Sequence, residues 1–203
     1  MALPTAAAPP LTRAPALLQD GRFARKFDQC STFGAVLDMV TDRLSTAGLC
    51  VVLAVLRPVL AHFFLACVCL DVGAHWAQMY ASLLARSASH KDVAASASPL
   101  LRLYYSNRVF MGSLCVAQEV FYLALYMTSF PAYGAAFLPT GLSLPSLLVA
   151  ALPQLLPRGP LGGLQLLAVL VVPQWTLKQV TNCLQGQFAA QRLAAADLPA
   201  KLK

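Results

Sequence analysis

Long apolar stretches dominate this chain and limit what it can fold into. The longest of them cover residues from about 35 to 56, Val59 to Leu84, Val109 to Phe130 and Leu164 to Leu184. A helix needs about 20 predominantly apolar residues to cross a bilayer, and each stretch reaches that length. Of the 203 residues, 58% are hydrophobic and 11% are charged, whereas soluble domains carry about 25% charged residues. The sequence therefore predicts an all-α, polytopic transmembrane helix bundle with about four spans.

Two other segments are predicted to be of a different kind. Residues 1–19 are rich in Ala and Pro and contain no apolar run long enough to span, so they are expected to form a disordered leader. Residues 132–162 are proline-rich, and several breaks in one helix would leave backbone groups unpaired in hydrocarbon. We therefore expect the apolar stretch 137–157 to be interfacial or re-entrant. The membrane domain would then cover residues 20–190, and residues 191–203 would form a basic tail.

The basic residues predict the orientation of the spans. The net charge is +7, and basic residues concentrate in cytosolic loops of membrane proteins. On the predicted cytosolic side lie Arg13, Arg22, Arg25, Lys26, Arg43, Arg86, Lys91, Arg102, Arg108, Lys178, Arg192, Lys201 and Lys203. Arg57 and Arg158 fall on the opposite side, so 137–157 should not cross and both termini should face the cytosol. Because the charges flank apolar segments, anionic membrane lipids are favoured as partners and nucleic acid is not.

The acidic residues gather near the start of the first apolar stretch. Four of the eight, Asp20, Asp28, Asp38 and Asp42, lie between positions 20 and 42. Gly34, Asp38 and Asp42 are spaced four apart, which places them on one face of a helix. Carboxylate oxygens without Cys or His suit a hard divalent cation such as Mg²⁺ or Mn²⁺. A solvated helix start, where acids interact favourably with the helix dipole, explains the Asp38–Asp42 pair equally well.

A longer motif around these acids resembles a known signature. Asp20-Gly21, Ala24-Arg25, Gly34, Asp38 and Asp42 fit the pattern DG-x2-AR-x8-G-x3-D-x3-D of the CDP-alcohol phosphatidyltransferases, which displace CMP from a CDP-linked alcohol. The segments FGAVLDMVTDRLST, LDVGAHW, SASHKD and LLRLYYSNR are similar to the eukaryotic phosphatidylinositol synthase branch of that family. The resemblance covers residues 20–130 strongly and residues 164–203 weakly.

The resemblance implies an activity and a set of residues. A phosphatidyl group would pass from CDP-diacylglycerol to myo-inositol, giving phosphatidylinositol and CMP, with Mg²⁺ or Mn²⁺ as cofactor. By this resemblance Asp20, Asp38 and Asp42 bind metal, and Asp42 is also the general base. Gly21, Arg25 and Ser31 would contact CDP-diacylglycerol. The protein would lie in the endoplasmic reticulum membrane as a multi-pass enzyme, with its active site facing the cytosol, and a homodimer is expected.

The residues that bind the inositol acceptor are harder to assign. The expected set, all near the predicted cytosolic side, is His75, Lys91, Arg102, Tyr105 and Arg108. The basic members equally suit contacts with lipid headgroups, and the tyrosine equally suits an interface anchor. His75 follows Asp71 by four residues, so the two could also form a self-satisfied polar pair on one helix face.

One departure from the family pattern leads to a second hypothesis. The pattern has another Asp three residues before Asp20, where this chain has Leu17, and the family has six spans, two of them before the motif. We therefore expect an N-terminally altered chain with reduced or no activity. A membrane-embedded variant with a structural or interaction role and an incomplete gene model are the two alternatives to an active enzyme. A different alcohol acceptor is disfavoured by the synthase-like sequence between residues 69 and 108.

Overall fold

The computed structural model describes residues 26–28, 31–84, 98–130, 133 and 162–197. Its helices are α1 (Thr32–Leu56), α2 (Ala61–Leu84), α3 (Pro99–Ser106), α4 (Arg108–Met127) and α5 (Gly163–Asp197), with a 3-10 turn at Pro58–Leu60. Every regular element in this part of the chain is helical, which confirms the all-α prediction. The leader 1–19, the segment 137–157 and residues 85–97 lie outside the described residues. The chain divides into two compact units, Met1–Asp42 and Arg43–Lys203.

Three helical segments are long and apolar enough to cross a membrane: Thr32–Leu56, Pro58–Leu84 and Arg108–Met127. They correspond to the first three predicted spans, and the protein is a helical membrane protein. The fourth predicted span, residues 164–184, is also helical and lies within α5, but it is not among the three. The reason is compositional, because residues 164–184 include Lys178 and several polar amides, Gln165, Gln174, Gln179 and Asn182.

The second unit has an apolar core at the level of the α1–α2 turn. Leu53 of α1 and Phe64 of α2 are fully buried there, close to Cys50 and Cys67. The core is completed by Ala168 of α5 and by four residues of α4, Phe121, Tyr122, Ala124 and Leu125. Fully burying a side chain of this size stabilises a fold by about 1.5–3 kcal/mol, so these contacts hold the four helices together at this end.

At the same end of the unit, Arg57 binds the carboxyl end of α4. Its guanidinium group donates hydrogen bonds to Ser129 Oγ at 3.1 Å, to Thr128 Oγ1 at 2.9 Å and to the main-chain oxygen of Leu125 at 3.2 Å. The last carbonyl groups of a helix lack intrahelical partners and attract cations. Arg57 therefore joins the turn between α1 and α2 to the carboxyl end of α4.

Helix α5 runs in the same direction as α2. Asn182 of α5 contacts Asp71 of α2, and one turn further along both helices Gly186 lies opposite Ala74. Helix α5 therefore begins at the Arg57 end of the unit, where α4 ends. The end of α4 and the start of α5 therefore lie at the same end of the unit, which is what a non-crossing segment 137–157 requires. That residues 137–157 do not cross the membrane stays a prediction.

Candidate functional site

Helix α1 begins with a side-chain cap. The hydroxyl oxygen of Ser31 accepts a hydrogen bond from the main-chain N–H of Gly34 at 2.9 Å, as Ser does at the start of many helices. A Cβ atom at position 34 would lie 3.0 Å from that hydroxyl oxygen. Gly34 therefore leaves room for the cap, and Ser31, which we expected to contact CDP-diacylglycerol, also has a structural role.

The two acidic residues of α1 lie one turn apart on the first unit. Asp38 and Asp42 are both exposed and both lie within the helix that begins at Thr32. Residues four apart on a helix are neighbours on its surface, so both carboxylates can reach one cation. Among the described residues no group of three His, Cys, Asp or Glu side chains is close enough to bind a metal ion. The third expected ligand, Asp20, lies outside the described residues together with Gly21 and Arg25.

The second unit contains a buried polar cluster that links α1, α2 and α5. Nη1 of Arg43 lies 2.9 Å from Oδ1 and 2.8 Å from Oδ2 of Asp71, and both side chains are largely buried, at 14% and 6% exposed. Nδ2 of Asn182 donates a further hydrogen bond to Asp71 Oδ1 at 3.1 Å. A buried carboxylate is costly unless it is paired and hydrogen-bonded, and here both conditions are met.

Lys178 extends this cluster along α5. Its ammonium group donates a hydrogen bond to Oδ1 of Asn182, and it lies 5.7 Å from the centre of the Tyr104 ring. The side chain is among the largest fully buried ones, with 1% of the residue exposed. Lys178, which was counted with the basic residues of the predicted cytosolic side, is therefore held inside the unit by an amide oxygen and an aromatic face.

Two of the expected inositol-binding residues lie around this cluster. His75 Nδ1 donates to the main-chain oxygen of Asp71 at 2.8 Å. A carbonyl oxygen can only accept, so Nδ1 carries a proton, and the neutral form of the ring then has its lone pair on Nε2. The hydroxyl oxygen of Tyr105 accepts a hydrogen bond from Gln185 Nε2 at 2.8 Å, while burial raises the pKa of this phenol and keeps it neutral.

The other expected acceptor residues are placed differently. Arg102 in α3 and Arg108 at the start of α4 are exposed, and Lys91 lies outside the described residues. Exposed arginines beside an apolar helix are also suited to lipid headgroups. The structure thus brings His75 and Tyr105 to the polar cluster and leaves Arg102 and Arg108 on the surface.

The cluster contains residues that the sequence analysis did not single out. Arg43 was counted as a cytosolic basic residue, and Asn182 and Gln185 were not considered. One signal was present, since positions 178, 182 and 185 follow helical spacing and place three polar side chains on one face of the helix. Another was Asp71 itself, because an acid within an apolar span needs a cationic partner.

Comparison with known protein families places this helical membrane protein in one of them. A family model described as CDP-alcohol phosphatidyltransferase matches residues 18–137, a range that includes Asp20, Arg25, Asp38 and Asp42. The chain belongs to the CDP-alcohol phosphatidyltransferase family, and the resemblance found in the sequence is confirmed.

Curated relatives narrow the similarity to one branch of that family. The chain is 44% identical over 180 residues to a probable CDP-diacylglycerol–inositol 3-phosphatidyltransferase 2 of Arabidopsis thaliana, which covers 88% of this chain and 73% of the relative. It is 43% identical over 185 residues to the CDP-diacylglycerol–inositol 3-phosphatidyltransferase 1 of that plant, with 91% and 74% covered. The Saccharomyces cerevisiae enzyme of the same name is 49% identical over 111 residues, covering 55% of this chain and 50% of the relative. No solved structure gives a significant match.

Proposed function

We propose that this protein transfers a phosphatidyl group from CDP-diacylglycerol to myo-inositol, giving phosphatidylinositol and CMP. The observation that carries the proposal is the exposed pair Asp38 and Asp42, one turn apart on a helix within the family match. The names of the relatives specify the CDP-diacylglycerol donor and the inositol acceptor. The synthase-like sequence between residues 69 and 108 supports the same acceptor.

The cofactor we propose is a divalent cation, Mg²⁺ or Mn²⁺, held by Asp20, Asp38 and Asp42. The donor set fits such an ion because it offers carboxylate oxygens alone, and both described members are exposed on one helix. When bound, the cation would neutralise the diphosphate of the donor and stabilise the leaving CMP. The carboxylate pair also gains from it, since two anions one turn apart otherwise repel each other.

The residues of the chain supply the rest of the reaction. Arg25 can pair with a phosphate oxygen of CDP-diacylglycerol, Gly21 permits close approach of the backbone, and Ser31 can donate its hydroxyl proton while its oxygen caps α1. Asp42 acts as general base and takes the proton of the attacking inositol hydroxyl group. The new bond joins the inositol oxygen to phosphorus, and the bond from phosphorus to the CMP oxygen breaks.

For the acceptor we propose a site that includes His75 and Tyr105, with Arg102, Arg108 and Lys91 as further members. An inositol hydroxyl group can donate to Nε2 of His75, the lone pair that remains after Nδ1 binds the Asp71 carbonyl oxygen. Gln185 adds an acceptor, because its Oε1 is buried and has no hydrogen-bond partner among the described residues. A polyol, which both donates and accepts through every hydroxyl group, suits such a mixture.

The setting we propose is the endoplasmic reticulum membrane, with the active site facing the cytosol and anionic lipids around the basic loops. The distribution of basic residues supports that orientation. Exposed apolar side chains along α1, such as Val51, Val52 and Val55, suit either lipid or a second copy of the chain, and a homodimer is part of the proposal.

The test is phosphatidylinositol synthesis by the purified full chain in liposomes. Labelled myo-inositol should enter lipid only with CDP-diacylglycerol and Mg²⁺ or Mn²⁺, and EDTA should abolish the reaction. Asp42→Asn should lower the rate by at least about 100-fold, the contribution typical of a general base. Asp197→Asn, an exposed change at the end of α5, is the matched control and should keep full activity. Incorporation of serine or glycerol 3-phosphate in place of inositol would contradict the proposed acceptor.

A second candidate is a membrane protein that keeps the fold with impaired catalysis. Leu17 favours it, because this position carries an Asp in the family pattern and a leucine cannot ligate a cation. The discriminating variant is Leu17→Asp. If the unaltered chain is inactive and Leu17→Asp incorporates inositol, the impaired interpretation is correct. If both chains are equally active, it is wrong.

A further inference from the structure

Two glutamine side chains lie beside the contact between α2 and α5 in the second unit. Nε2 of Gln78, which can only donate, and Oε1 of Gln185, which can only accept, are both buried without a hydrogen-bond partner among the described residues. Most buried polar groups in native proteins are hydrogen-bonded, and an unpaired one destabilises the fold. One unpaired donor and one unpaired acceptor on neighbouring helices suit a ligand that both accepts and donates hydrogen bonds.

The register of the two helices brings these groups near each other. Gly186 of α5 lies against Ala74 of α2, where a Cβ atom at position 186 would be 3.5 Å from Cβ of Ala74. Gln185 directly precedes Gly186, and Gln78 follows Ala74 by four residues, on the same face of α2. Because the helices run in the same direction, the two glutamines are about 7.5 Å apart along the helix axes, five residues at about 1.5 Å each. One six-membered ring with its hydroxyl groups can bridge that distance.

His75 adds a second acceptor at this place. It precedes Gln78 by three residues, so the two side chains are neighbours on the surface of α2. Its Nδ1 is bound to the main-chain oxygen of Asp71 at 2.8 Å, which directs Nε2 away from the helix, and 20% of its side chain is exposed. Nε2 of Gln185 donates to Tyr105 at 2.8 Å, and this contact fixes the orientation of the amide and of its Oε1. The site therefore offers one donor and two acceptors in fixed roles.

We infer that Gln78 is a specificity-determining residue of the acceptor site and that its Nε2 donates to an oxygen atom of myo-inositol. The inference rests on the proposed function for the identity of the acceptor. A neutral polyol fits these groups, because a hydroxyl group that accepts from Gln78 can itself donate, or its neighbour on the ring can donate, to Gln185 or His75. An anionic group accepts but cannot donate, so at the same position it would leave Oε1 of Gln185 unpaired and place its charge against that oxygen.

The test measures the Kd of the purified full chain for myo-inositol by saturation-transfer NMR in detergent micelles, beside Tm and the KM values for both substrates in liposomes. Gln78→Leu should raise the Kd by about two- to twelvefold, as the loss of one hydrogen bond does. Its Tm should be unchanged or higher, because leucine replaces a buried amide that has no partner among the described residues. Its KM for CDP-diacylglycerol should stay constant. Gln187→Leu, an exposed change on α5, is the matched control and should alter neither Kd nor Tm.

Each outcome supports or overturns the inference. A Gln78→Leu chain with the inositol Kd of the unaltered protein would overturn it and show that water alone satisfies the amide. A higher Kd with a lower Tm and a higher KM for CDP-diacylglycerol would also overturn it, since Gln78 would then support the fold. Gln78→Met, which is unbranched and of similar length, decides the question by the same measurements if Gln78→Leu does not accumulate.

The same measurements separate this inference from the proposed function. If the unaltered chain binds inositol but makes no phosphatidylinositol, the proposed transfer fails while the Kd values still decide the role of Gln78. If the unaltered chain makes phosphatidylinositol and Gln78→Leu keeps both its Kd and its KM for inositol, the inference alone fails. An unaltered chain that binds no inositol would overturn both.

Discussion

The single hydroxyl group of Ser31 caps α1 and, in the proposed function, also contacts CDP-diacylglycerol. Its oxygen accepts from Gly34 N–H at 2.9 Å, which leaves its proton available to a phosphate oxygen. Ser31→Ala should lower the free energy of unfolding by about 1 kcal/mol through loss of the cap. Ser31→Asp should keep the cap and the stability, yet raise the KM for CDP-diacylglycerol, because its carboxylate repels the diphosphate. Thermal unfolding and donor titration measure the two effects, and an unchanged KM in Ser31→Asp would show that Ser31 only caps the helix.

His75 tests the proposed acceptor site through its second nitrogen. His75→Asn keeps a donor near the Asp71 carbonyl oxygen and removes the Nε2 lone pair. Losing one neutral hydrogen bond costs about 0.5–1.5 kcal/mol, so the KM for inositol should rise by about two- to twelvefold while the KM for CDP-diacylglycerol stays constant. His62→Asn is the control, since His62 lies on the same helix and is exposed. A rise in both KM values in His75→Asn would point to a disturbed fold.

How much could be predicted differs from residue to residue. Asp38 and Asp42 are only four residues apart, so their placement on one helix face could be predicted from the spacing alone. The partners of Asp71 did not, because Arg43 and Asn182 lie 28 and 111 residues away. Local spacing suggested His75 as the partner of Asp71, and the structure confirms the contact: His75 Nδ1 lies 2.8 Å from the main-chain oxygen and 3.7 Å from Oδ1 of Asp71. The hydrogen bonds to the carboxylate come from the two distant side chains.

At the scale of helices, apolar length predicted where spans lie better than where helices end. The first three predicted spans agree with the bounds of the spanning segments to within a few residues. Helix α5 instead continues beyond Leu184 to Asp197, because the residues that follow, including several alanines, glutamines and an arginine, are strong helix formers although they are not apolar. Its polar face is buried against neighbouring helices, which hydropathy alone does not predict.

The contact between α2 and α5 depends on small residues. A Cβ atom at Gly186 would lie 3.5 Å from Cβ of Ala74, which is ordinary van der Waals contact, so Gly186→Ala should be neutral or stabilising. Gly186→Leu should force the helices apart and cost about 1–3 kcal/mol, as overpacking of a buried interface does. Urea or thermal unfolding in detergent micelles measures the difference. Equal stability of the alanine and leucine variants would mean that this face of α5 is not packed.

Over the whole molecule, the polar cluster alters how the basic residues should be counted. Inside the second unit, Arg43 pairs with Asp71, and Lys178 contacts Asn182 and Tyr104. Their charges therefore give little information on which side of the membrane their helix ends lie. Without them the predicted cytosolic side still has eleven basic residues against two. The orientation prediction therefore does not depend on the two buried cations.

That orientation can be tested through the segment between α4 and α5. Because α5 begins at the end of the unit where α4 ends, a non-crossing segment 137–157 would lie on the side opposite the basic loops. In sealed vesicles with the cytosolic face outward, a membrane-impermeant maleimide should label Ser89→Cys and Lys201→Cys, and should label Thr140→Cys only after detergent is added. The unaltered chain supplies the background from its own cysteines. Labelling of Thr140→Cys but not of Lys201→Cys in sealed vesicles would show that the predicted orientation is wrong. Asp38 and Asp42 at the start of α1 would then face the lumen, which contradicts an active site that faces the cytosol.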